Sequence, residues 1–477
     1  MHSLKTFRAQ LLIAATAAIL LPALPAQAQS ADQKIQTLQE SLDSLQAQVA
    51  DLKRQNADKY ADLSNYNLNS AKISLANGRP TFTSADGAFT AALRLLVQAD
   101  TAYYGQNGNL GAVDLSSGTN FRRARLGLEG KLFTDWFYNF TSDLGGSGQE
   151  GATISQASLE YQGAAPFYAR IGIFPPSAGL EDSTPASDLT FLERAQPSDL
   201  SRSIGGSDGR KALQLFDYTP NYYISAAYTG GLAGDAAVFD QQQAVVGYGA
   251  YRVYTDADSN VLLTANSSYV FKPADTTAGP ALSTSPFRFR ERPELNVDAT
   301  RFIDTNNINA DAAWNYGIEG AANYQSLYVQ GGYFKFGIDR KASVQPNPVF
   351  DGFYAQASWA LTGEARQYRP ERGAFQAIRP LQPFSLTDGG IGAWELAGRY
   401  SVLNLDYNAG AAGTATPASG VRGGVQKIWT AAINWYPNNA LRFQLDYQHS
   451  DIDHLNGAGG NIGGKVDVVS LRAQISL

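Results

Sequence analysis

The apolar and polar residues alternate strictly in two neighbouring segments near the carboxyl end of the chain, residues 429–435 and 441–448. Every second residue is apolar or aromatic, and the residues between them are polar, charged or small. A period of two is typical of a β-strand whose two faces meet different surroundings. The connection, residues 436–440, contains a proline and two asparagines and predicts a turn. The two segments therefore predict a β-hairpin with one apolar face and one polar face.

Two environments produce such a hairpin. In a soluble β-sandwich the apolar face is buried in a core, whereas in a transmembrane β-barrel it faces lipid and the polar face lines a water-filled lumen. The pattern recurs along most of the chain, in segments close to the roughly 9–11 residues that cross a bilayer at a tilt. Aromatic residues gather towards the segment ends, and Arg, Asp and Gln recur in the middle of the polar faces. These features favour the barrel.

The candidate strands number sixteen or seventeen. An antiparallel barrel whose two ends lie on the same side of the membrane closes with an even number, so we expect sixteen. The predicted fold class is all-β, a transmembrane antiparallel β-barrel over residues 87–477. The candidates are residues 91–104, 121–131, 136–143, 154–161, 168–174, 212–218, 222–229, 244–254, 261–271, 295–303, 312–324, 327–338, 353–361, 394–405, 429–435, 441–448 and 466–477.

One predicted connection, residues 367–390, fits this count poorly. Counting strands back from the carboxyl end places it among the periplasmic turns, which are usually short. It is long, and it contains prolines at positions 370, 380 and 383. Either this segment is a plug or a foot, or the strand count is wrong near it.

The first 28 residues predict a secretory signal peptide. Lys5 and Arg8 form a basic region, an apolar run follows over residues 11–21, and Ala26-Gln27-Ala28 supplies a cleavage site of small residues. The alternative is an uncleaved anchor helix, but the apolar run is short for a membrane span. Export together with a predicted barrel indicates the outer membrane of a Gram-negative bacterium.

Residues 30–60 carry a different periodicity. Their apolar residues step by three and four positions, which is the a/d seam of a heptad repeat and predicts a short coiled coil. The alternative is a lone amphipathic helix that packs on another surface. Residues 61–86 are rich in Asn, Ser, Thr and Gly and predict a linker. The seam residues are Ile35, Leu38, Leu42, Leu45, Val49 and Leu52.

Composition removes several kinds of chemistry. The 477 residues include no cysteine, so disulfides and thiolate metal sites are excluded, and the net charge of −6 argues against a nucleic-acid partner. His449 and His454 lie among acidic residues that could hold a metal, but a solvated loop is the simpler interpretation. His449 and Ser450 are adjacent and thus face opposite sides of a strand, which argues against a Ser-His-Asp hydrolase. We predict no metal, no cofactor and no enzymatic activity.

The alternation stops for about thirty residues after the fifth predicted strand, over residues 175–209. A long loop without periodicity inside a compact fold is usually functional or disordered. By the strand count this is the third extracellular loop, and we expect it to fold into the lumen as a constriction loop. The alternative is a floppy surface loop. Its charges would set ion preference, because the field is concentrated in a narrow pore.

Together these segments resemble the porin O/porin P family of phosphate- and polyphosphate-selective outer-membrane porins, over nearly all of residues 87–477. The residues that carry the resemblance are Phe121-Arg122-Arg123-Ala124 with Asp135-Trp136, Ala157-Ser158 with Tyr161, Gly172 and Phe174, Gly179-Leu180-Glu181, Leu192-Glu193-Arg194, Leu361-Thr362-Gly363-Glu364, Ile391-Gly392-Ala393-Trp394-Glu395-Leu396 with Arg399-Tyr400, and Asn434-Trp435-Tyr436.

The resemblance implies a sixteen-stranded trimeric channel in which anions pass along arginines to a constriction that carries lysines. A guanidinium group binds phosphate oxygens in a bidentate manner. On the resemblance and the strand pattern, we expect the anion-contacting residues that line the pore to be Arg122, Arg123, Arg125, Arg194, Arg288, Arg290 and Arg292.

The chain also departs from the family pattern. Asp182 stands where the resemblance implies a lysine of the constriction, directly after Glu181 on the same loop. Pro185 and Ala186 replace two serines, and lysines expected on the first strand appear as Gly87 and Ala92. Since a carboxylate at the narrowest point repels a dianion, the phosphate site looks dismantled.

We therefore predict a passive outer-membrane channel for small anions or other small hydrophilic solutes. The expected partners are membrane lipid and two further copies of the chain, with no nucleic acid. The alternative is a structural tether, in which the amino-terminal coiled coil links the outer membrane to peptidoglycan. About 25 helical residues span roughly 35–40 Å, so this alternative is geometrically possible.

Overall fold

The structure is a computed structural model that describes residues 31–69, 71–75, 78–108, 110, 113–146, 153–235, 239–276 and 284–477. The predicted signal peptide, residues 1–28, lies outside the described residues. The chain divides into two units between Ser70 and Ala71. Among the residues described, no helix is both long enough and apolar enough to span a bilayer.

The described residues of the first unit form one α-helix, α1, which spans Ala31–Asn69. It continues through residues 61–69, the first nine residues of the segment for which the sequence predicts a linker. The reason lies in the sequence, which contains neither glycine nor proline between residues 31 and 71 to end the helix. The six apolar seam residues lie exposed along α1. Self-association through this seam stays a prediction.

The described part of the second unit consists mainly of β-strands, with short helical segments that include α2 (Leu180–Ser183), α3 (Gln196–Gly205) and the 3₁₀ turn Pro370–Arg372. The strands are β1 Lys72–Ser74, β2 Thr81–Thr83, β3 Thr90–Gly108, β4 Gly118–Leu132, β5 Trp136–Asp143, β6 Thr153–Tyr161, β7 Tyr168–Ile173, β8 Arg210–Tyr218, β9 Tyr222–Leu232, β10 Gln243–Thr255, β11 Ser259–Lys272, β12 Pro286–Phe287, β13 Arg290–Glu291, β14 Ile303–Asp304, β15 Ile308–Tyr324, β16 Leu327–Arg340, β17 Val349–Ala360, β18 Tyr368–Arg369, β19 Ala374–Phe375, β20 Ala393–Tyr407, β21 Val421–Tyr436, β22 Leu441–Asp453 and β23 Gly464–Ser476.

Sixteen of these strands form a closed antiparallel barrel. Each long strand pairs with its neighbour in the chain, and β23 closes the cylinder by pairing with β3 from Gly464↔Gly108 to Ser476↔Leu96. The prediction of a sixteen-stranded barrel is confirmed. The barrel strands are β3–β11, β15–β17 and β20–β23.

The candidate strand at residues 295–303 is wrong. Only Ile303 and Asp304 of β14 are extended there, and they pair with β13 rather than with a barrel strand. Leu295 and Phe302 are buried against inward-facing residues of the wall, among them Val466. These residues are apolar because they pack inside the cylinder. Their alternation therefore predicted one strand more than the barrel contains.

The two faces of the barrel wall are inverted relative to a soluble protein. Trp429, on β21, is 60% exposed on the outer face, whereas Gln448 on β22 and Arg472 on β23 are completely buried on the inner face. Period-two alternation therefore directs the aromatic and aliphatic residues outward and the polar residues inward. The outer surface is suited to hydrocarbon, and the inner surface to water or to polar loops.

The connections alternate between long loops at one end of the barrel and short turns at the other. The turn end holds connections such as residues 133–135, 219–221 and 325–326, and it also holds the turn-side segment, residues 361–392. This segment carries the small hairpin of β18 and β19, which packs against the inner wall. Tyr248 Oη donates a hydrogen bond of 2.7 Å to the carbonyl of Gly373 within it. The strand count was thus correct near residues 367–390.

Candidate functional site

The connection between β7 and β8, which we call the inner loop (residues 174–209), lies inside the barrel. Inward-facing wall residues bind its backbone: Glu319 Oε1 accepts from Leu180 N at 2.7 Å, and Asp446 Oδ2 accepts from Leu192 N at 3.1 Å. Gln98 Nε2 donates to the carbonyl of Ala186 at 3.2 Å. The polar inner face of the strands thus supplies the hydrogen bonds that a buried loop requires.

Arg122 and Arg123 both point inward although they are adjacent on one strand. The register between β3 and β4 shifts between Gln98 and Ala99, which makes Arg122 the extra residue of a β-bulge. A bulge changes the direction of the strand locally, so consecutive side chains can face the same side. Both guanidinium groups reach Glu193 of the inner loop, at 2.8 Å from Arg122 Nε and 3.5 Å from Arg123 Nη2.

A third arginine completes the cluster around Glu193. Arg472 Nη2 lies 2.9 Å from Glu193 Oε1, and Arg472 also binds both carboxylate oxygens of Asp100 at 2.6 and 2.7 Å. Burial raises the pKa of Glu193, but the surrounding guanidinium groups outweigh burial and hold the pKa well below its usual range. Arg122 and Arg123 therefore already share one carboxylate of the protein itself, which partly offsets their charge.

A second row of charges alternates in sign along the inner loop. Arg125 Nη2 lies 2.7 Å from Asp208 Oδ2, Asp208 Oδ1 lies 2.9 Å from Arg202 Nη2, and Arg202 Nε lies 2.6 Å from Asp182 Oδ1. Burial raises the pKa of Asp208, but Arg125 and Arg202 outweigh it and hold the pKa well below its usual range. Asp182 is thus ion-paired rather than a free negative charge, and its side chain is only 4% exposed.

Arg194 and Glu181 maintain the shape of the inner loop. Arg194 donates to the backbone carbonyls of Glu181, Asp182 and Thr184 at 3.1, 3.4 and 3.0 Å. Glu181 accepts from the amide of Ala195 at 2.9 Å, and burial raises its pKa despite nearby arginines. These contacts satisfy both side chains within the loop and its surroundings.

Arg288, Arg290 and Arg292 lie apart from the other expected residues, on a second loop described over residues 284–307. They alternate with buried residues. Arg288 forms a bidentate ion pair with Asp304, and Arg292 Nη1 donates to Asn296 Oδ1 at 2.7 Å. Within the described chain, the Arg290 guanidinium makes no hydrogen bond. None of the three lines the main cavity.

The main cavity lies between the wall of β3–β8 and the inner loop and has a volume of about 560 Å³. Six arginines and five carboxylates line it, with no lysine, so its charge is nearly balanced. Four of the five carboxylates pair with lining arginines. The charged lining residues are Arg94, Arg125, Arg170, Arg194, Arg202, Arg372, Glu129, Glu160, Asp182, Asp208 and Glu371.

Four of the five positions at which the resemblance implies a different residue line this cavity. Asp182, Pro185 and Ala186 contribute from the inner loop and Ala92 from β3, whereas Gly87 lies in the turn before β3 and does not. At these four positions the cavity surface therefore carries one carboxylate, one proline and two alanines, with no ammonium or hydroxyl group.

Four arginines of the cavity, Arg94, Arg170, Arg202 and Arg372, are not among the residues expected from the sequence. Arg94 and Arg170 lie on the inward faces of β3 and β7, so period-two alternation could have found them. Arg202 was visible only as one of several charges in a long loop. Arg372 belongs to the turn-side segment, for which the sequence left a plug, a foot and a wrong strand count as alternatives, so no residue of it was expected at the site.

His449 and His454 have separate partners. His449 Nδ1 lies 2.8 Å from Asp467 Oδ1, while the ring nitrogens of His454 lie 2.8 and 3.2 Å from the carbonyls of Phe302 and Arg422. Among the described residues, no group of three or more His, Cys, Asp or Glu side chains is arranged to hold a metal.

A closed barrel with an apolar exterior, a polar interior and an inward-folded loop defines a channel-forming β-barrel of the outer-membrane class. The chain belongs to the family Phosphate-selective porin O and P, whose model matches residues 91–477. It is accordingly a porin of the Gram-negative outer membrane, a channel protein and not an enzyme.

Two relatives match most of the chain. Porin O of Pseudomonas aeruginosa is 28% identical over 421 residues, which cover 82% of this chain and 89% of that protein. An uncharacterised protein of Caulobacter vibrioides is 28% identical over 380 residues, which cover 78% and 70% of the two chains. Among solved structures, an anion-selective porin from Comamonas acidovorans matches at a TM-score of 0.48 and 12% identity, covering 82% of this chain and all of that one.

Proposed function

We propose that this porin is a passive, weakly selective diffusion channel for small hydrophilic solutes, and that it no longer holds phosphate tightly. The observation that carries the proposal is the ion pair between Asp182 and Arg202, at the position where the family resemblance implies a lysine. A fixed anion site needs guanidinium or ammonium groups that are free to bind. Here most cationic groups on the cavity surface already bind carboxylates or backbone carbonyls of the same chain.

Planar-bilayer recording of the purified, full-length porin tests this proposal. We expect stepwise ion conductance, a reversal potential close to zero under a KCl gradient, and no block by micromolar phosphate. Failure to conduct would contradict the channel itself. Conduction combined with strong phosphate block would contradict only the claim that the phosphate site is lost.

We further propose that the porin is a homotrimer, as the family resemblance implies, and that α1 contributes a coiled coil. The support from this chain is the exposed heptad seam of α1, since exposed apolar residues at a and d positions favour association with like helices. Native mass spectrometry of the full chain and of a variant lacking residues 31–69 tests both points. A trimer in both forms would assign trimerisation to the barrel, and a monomeric full chain would contradict the proposal.

The tether remains a second candidate, supported by the length of α1. Its 39 residues extend about 58 Å at 1.5 Å per residue, which is long enough for a spacer. Sedimentation with purified peptidoglycan distinguishes it from simple helix association. Binding that is lost when residues 31–69 are removed supports the tether, whereas equal binding by both forms contradicts it.

A further inference from the structure

The turn-side segment, residues 361–392, does not stay inside the barrel. Ile378 is still inside, where it packs with Tyr436 on the inner face of β21. From there the chain crosses the rim, where Arg379 Nη1 donates to the carbonyl of Asn439 at 2.9 Å. The ring of Phe384 then lies edge-on against Trp435, an outward-facing residue, with centroids 5.4 Å apart.

The outer part of this segment carries exposed apolar residues. Leu386 is 90% exposed and Leu381 is 74% exposed, and Phe384 and Ile391 are also exposed. Ser385 and Asp388, which lie between Phe384 and Ile391 in the chain, form a polar turn and are joined by a hydrogen bond of 2.9 Å. We call residues 381–391 the rim foot.

The rim foot is fixed in place by tryptophans of the barrel surface. Trp435 Nε1 and Trp394 Nε1 both donate to the carbonyl of Ile391, at 3.0 and 3.2 Å. Trp394, Trp435 and Phe443 lie on three successive strands near the turn end and stack on one another at 5.5–5.6 Å. Such a band of outward aromatic residues marks the boundary between hydrocarbon and lipid head groups.

We propose that the rim foot inserts into the head-group region of the periplasmic leaflet and anchors the barrel rim to phospholipid. Three observations support lipid as the occupant. The foot is continuous with the aromatic band, its exposed apolar residues include Phe384 packed on the outward-facing Trp435, and its polar turn suits the lipid–water boundary. Periplasmic turns of barrels are usually short, so this chain adds a lipid contact that a short turn cannot make.

The absence of cysteine from the sequence makes site-directed spin labelling a direct test. We would introduce Leu386→Cys, attach a nitroxide, and measure its accessibility to oxygen and to a neutral nickel chelate in phosphatidylethanolamine–phosphatidylglycerol nanodiscs. Leu381→Cys provides a second position on the foot. Leu445→Cys, on the outer face of β22, is the lipid-facing control, and the fully exposed Val344→Cys, on the loop side, is the aqueous control.

We expect both foot positions to be more accessible to oxygen and less accessible to nickel than Val344→Cys, at a depth shallower than Leu445→Cys. Nickel accessibility equal to that of Val344→Cys would show that the foot lies in water and would overturn the proposal. Protection from both reagents together with spin–spin broadening would also overturn it, because that result identifies a second copy of the chain as the occupant.

Discussion

Asp182 and Arg202 form an ion pair of 2.6 Å inside the barrel, with the carboxylate almost completely shielded from solvent. Because Asp182 is paired, the guanidinium group of Arg202 offsets its negative charge. A free carboxylate would make the cavity repel anions, whereas a paired one leaves the local charge close to neutral. The chain therefore combines the fold of a phosphate-selective family with a cavity of nearly balanced charge.

Breaking this pair from either side is expected to shift ion selectivity in opposite directions. Arg202→Gln leaves Asp182 and Asp208 without their shared guanidinium, so the channel should become more cation-selective. In Asp182→Asn, Arg202 loses one of its two carboxylate partners, so the channel should become more anion-selective. Each variant should lose about 1–3 kcal/mol of stability, because one buried group loses a charged partner. Reversal potentials under a KCl gradient measure the shifts in selectivity. Shifts of the same sign in both variants would contradict this expectation.

Removal of the carboxylate at Glu193 should expose the arginine cluster to permeant anions. In Glu193→Gln, Arg122 and Arg123 lose their carboxylate partner, while Arg472 keeps Asp100. We expect stronger anion selectivity and a loss of about 3–5 kcal/mol in stability, as is usual when one member of a buried ion pair is removed.

Asp388→Asn is the matched control for Glu193→Gln. It makes the same change in net charge, but its side chain lies in the polar turn of the rim foot, where it hydrogen-bonds with Ser385. Its reversal potential should equal that of the wild type. If both substitutions shifted selectivity equally, overall charge rather than the arginine cluster would be responsible.

Glu291→Gln is expected to stabilise the protein at neutral pH. Glu291 is buried near Asp199, and burial followed by this neighbouring carboxylate raises its pKa well above the usual range, although Arg301 and Arg292 oppose the shift. A carboxyl group with a raised folded-state pKa reduces stability as pH rises from its unfolded pKa to its folded pKa. Chemical denaturation should therefore show the variant more stable than wild type at pH 7 and equal to it near pH 4.

Asp208→Asn provides the comparison of opposite sign. Folding lowers the pKa of Asp208 below its ordinary value of 3.8. The Asp208 carboxylate therefore stabilises the folded protein above pH 3.8, and this stabilisation is lost as pH falls through the folded-state pKa. The variant should be less stable than wild type at pH 7 and at pH 5, with the difference closing in stronger acid. An equal pH response of the two variants would contradict both assignments.

Phe375→Ala should loosen the turn-side segment inside the lumen. Phe375 is buried and contacts Tyr328 and Tyr368, with ring centroids 5.3 and 5.7 Å apart. Truncation of such a residue costs about 3–5 kcal/mol. We expect a larger and noisier single-channel conductance, because the hairpin of β18 and β19 would leave the wall more often. Phe384→Ala, on the outer rim, should leave conductance unchanged.

Two features of the structure differ from what the sequence pattern predicts, and both differences have physical causes. Residues 295–303 alternate much as a membrane strand does, but Leu295 and Phe302 are apolar because they pack against the inner wall. Helix α1 continues past residue 60 because polar composition alone does not end a helix that lacks glycine and proline. The composition and periodicity of a segment show which of its faces is apolar. They do not show whether that face contacts lipid or another part of the protein.

The sequence by itself determined the sixteen-stranded barrel, the direction of each face and the place of the long inner loop. These are local properties, since a period of two is set by backbone geometry within each strand. Only the tertiary structure decided the pairing of the charges, because their partners are far apart in the chain, as Arg472 and Asp100 are by 372 positions. The net field inside the barrel depends on those pairings, and no pattern of neighbouring residues encodes them.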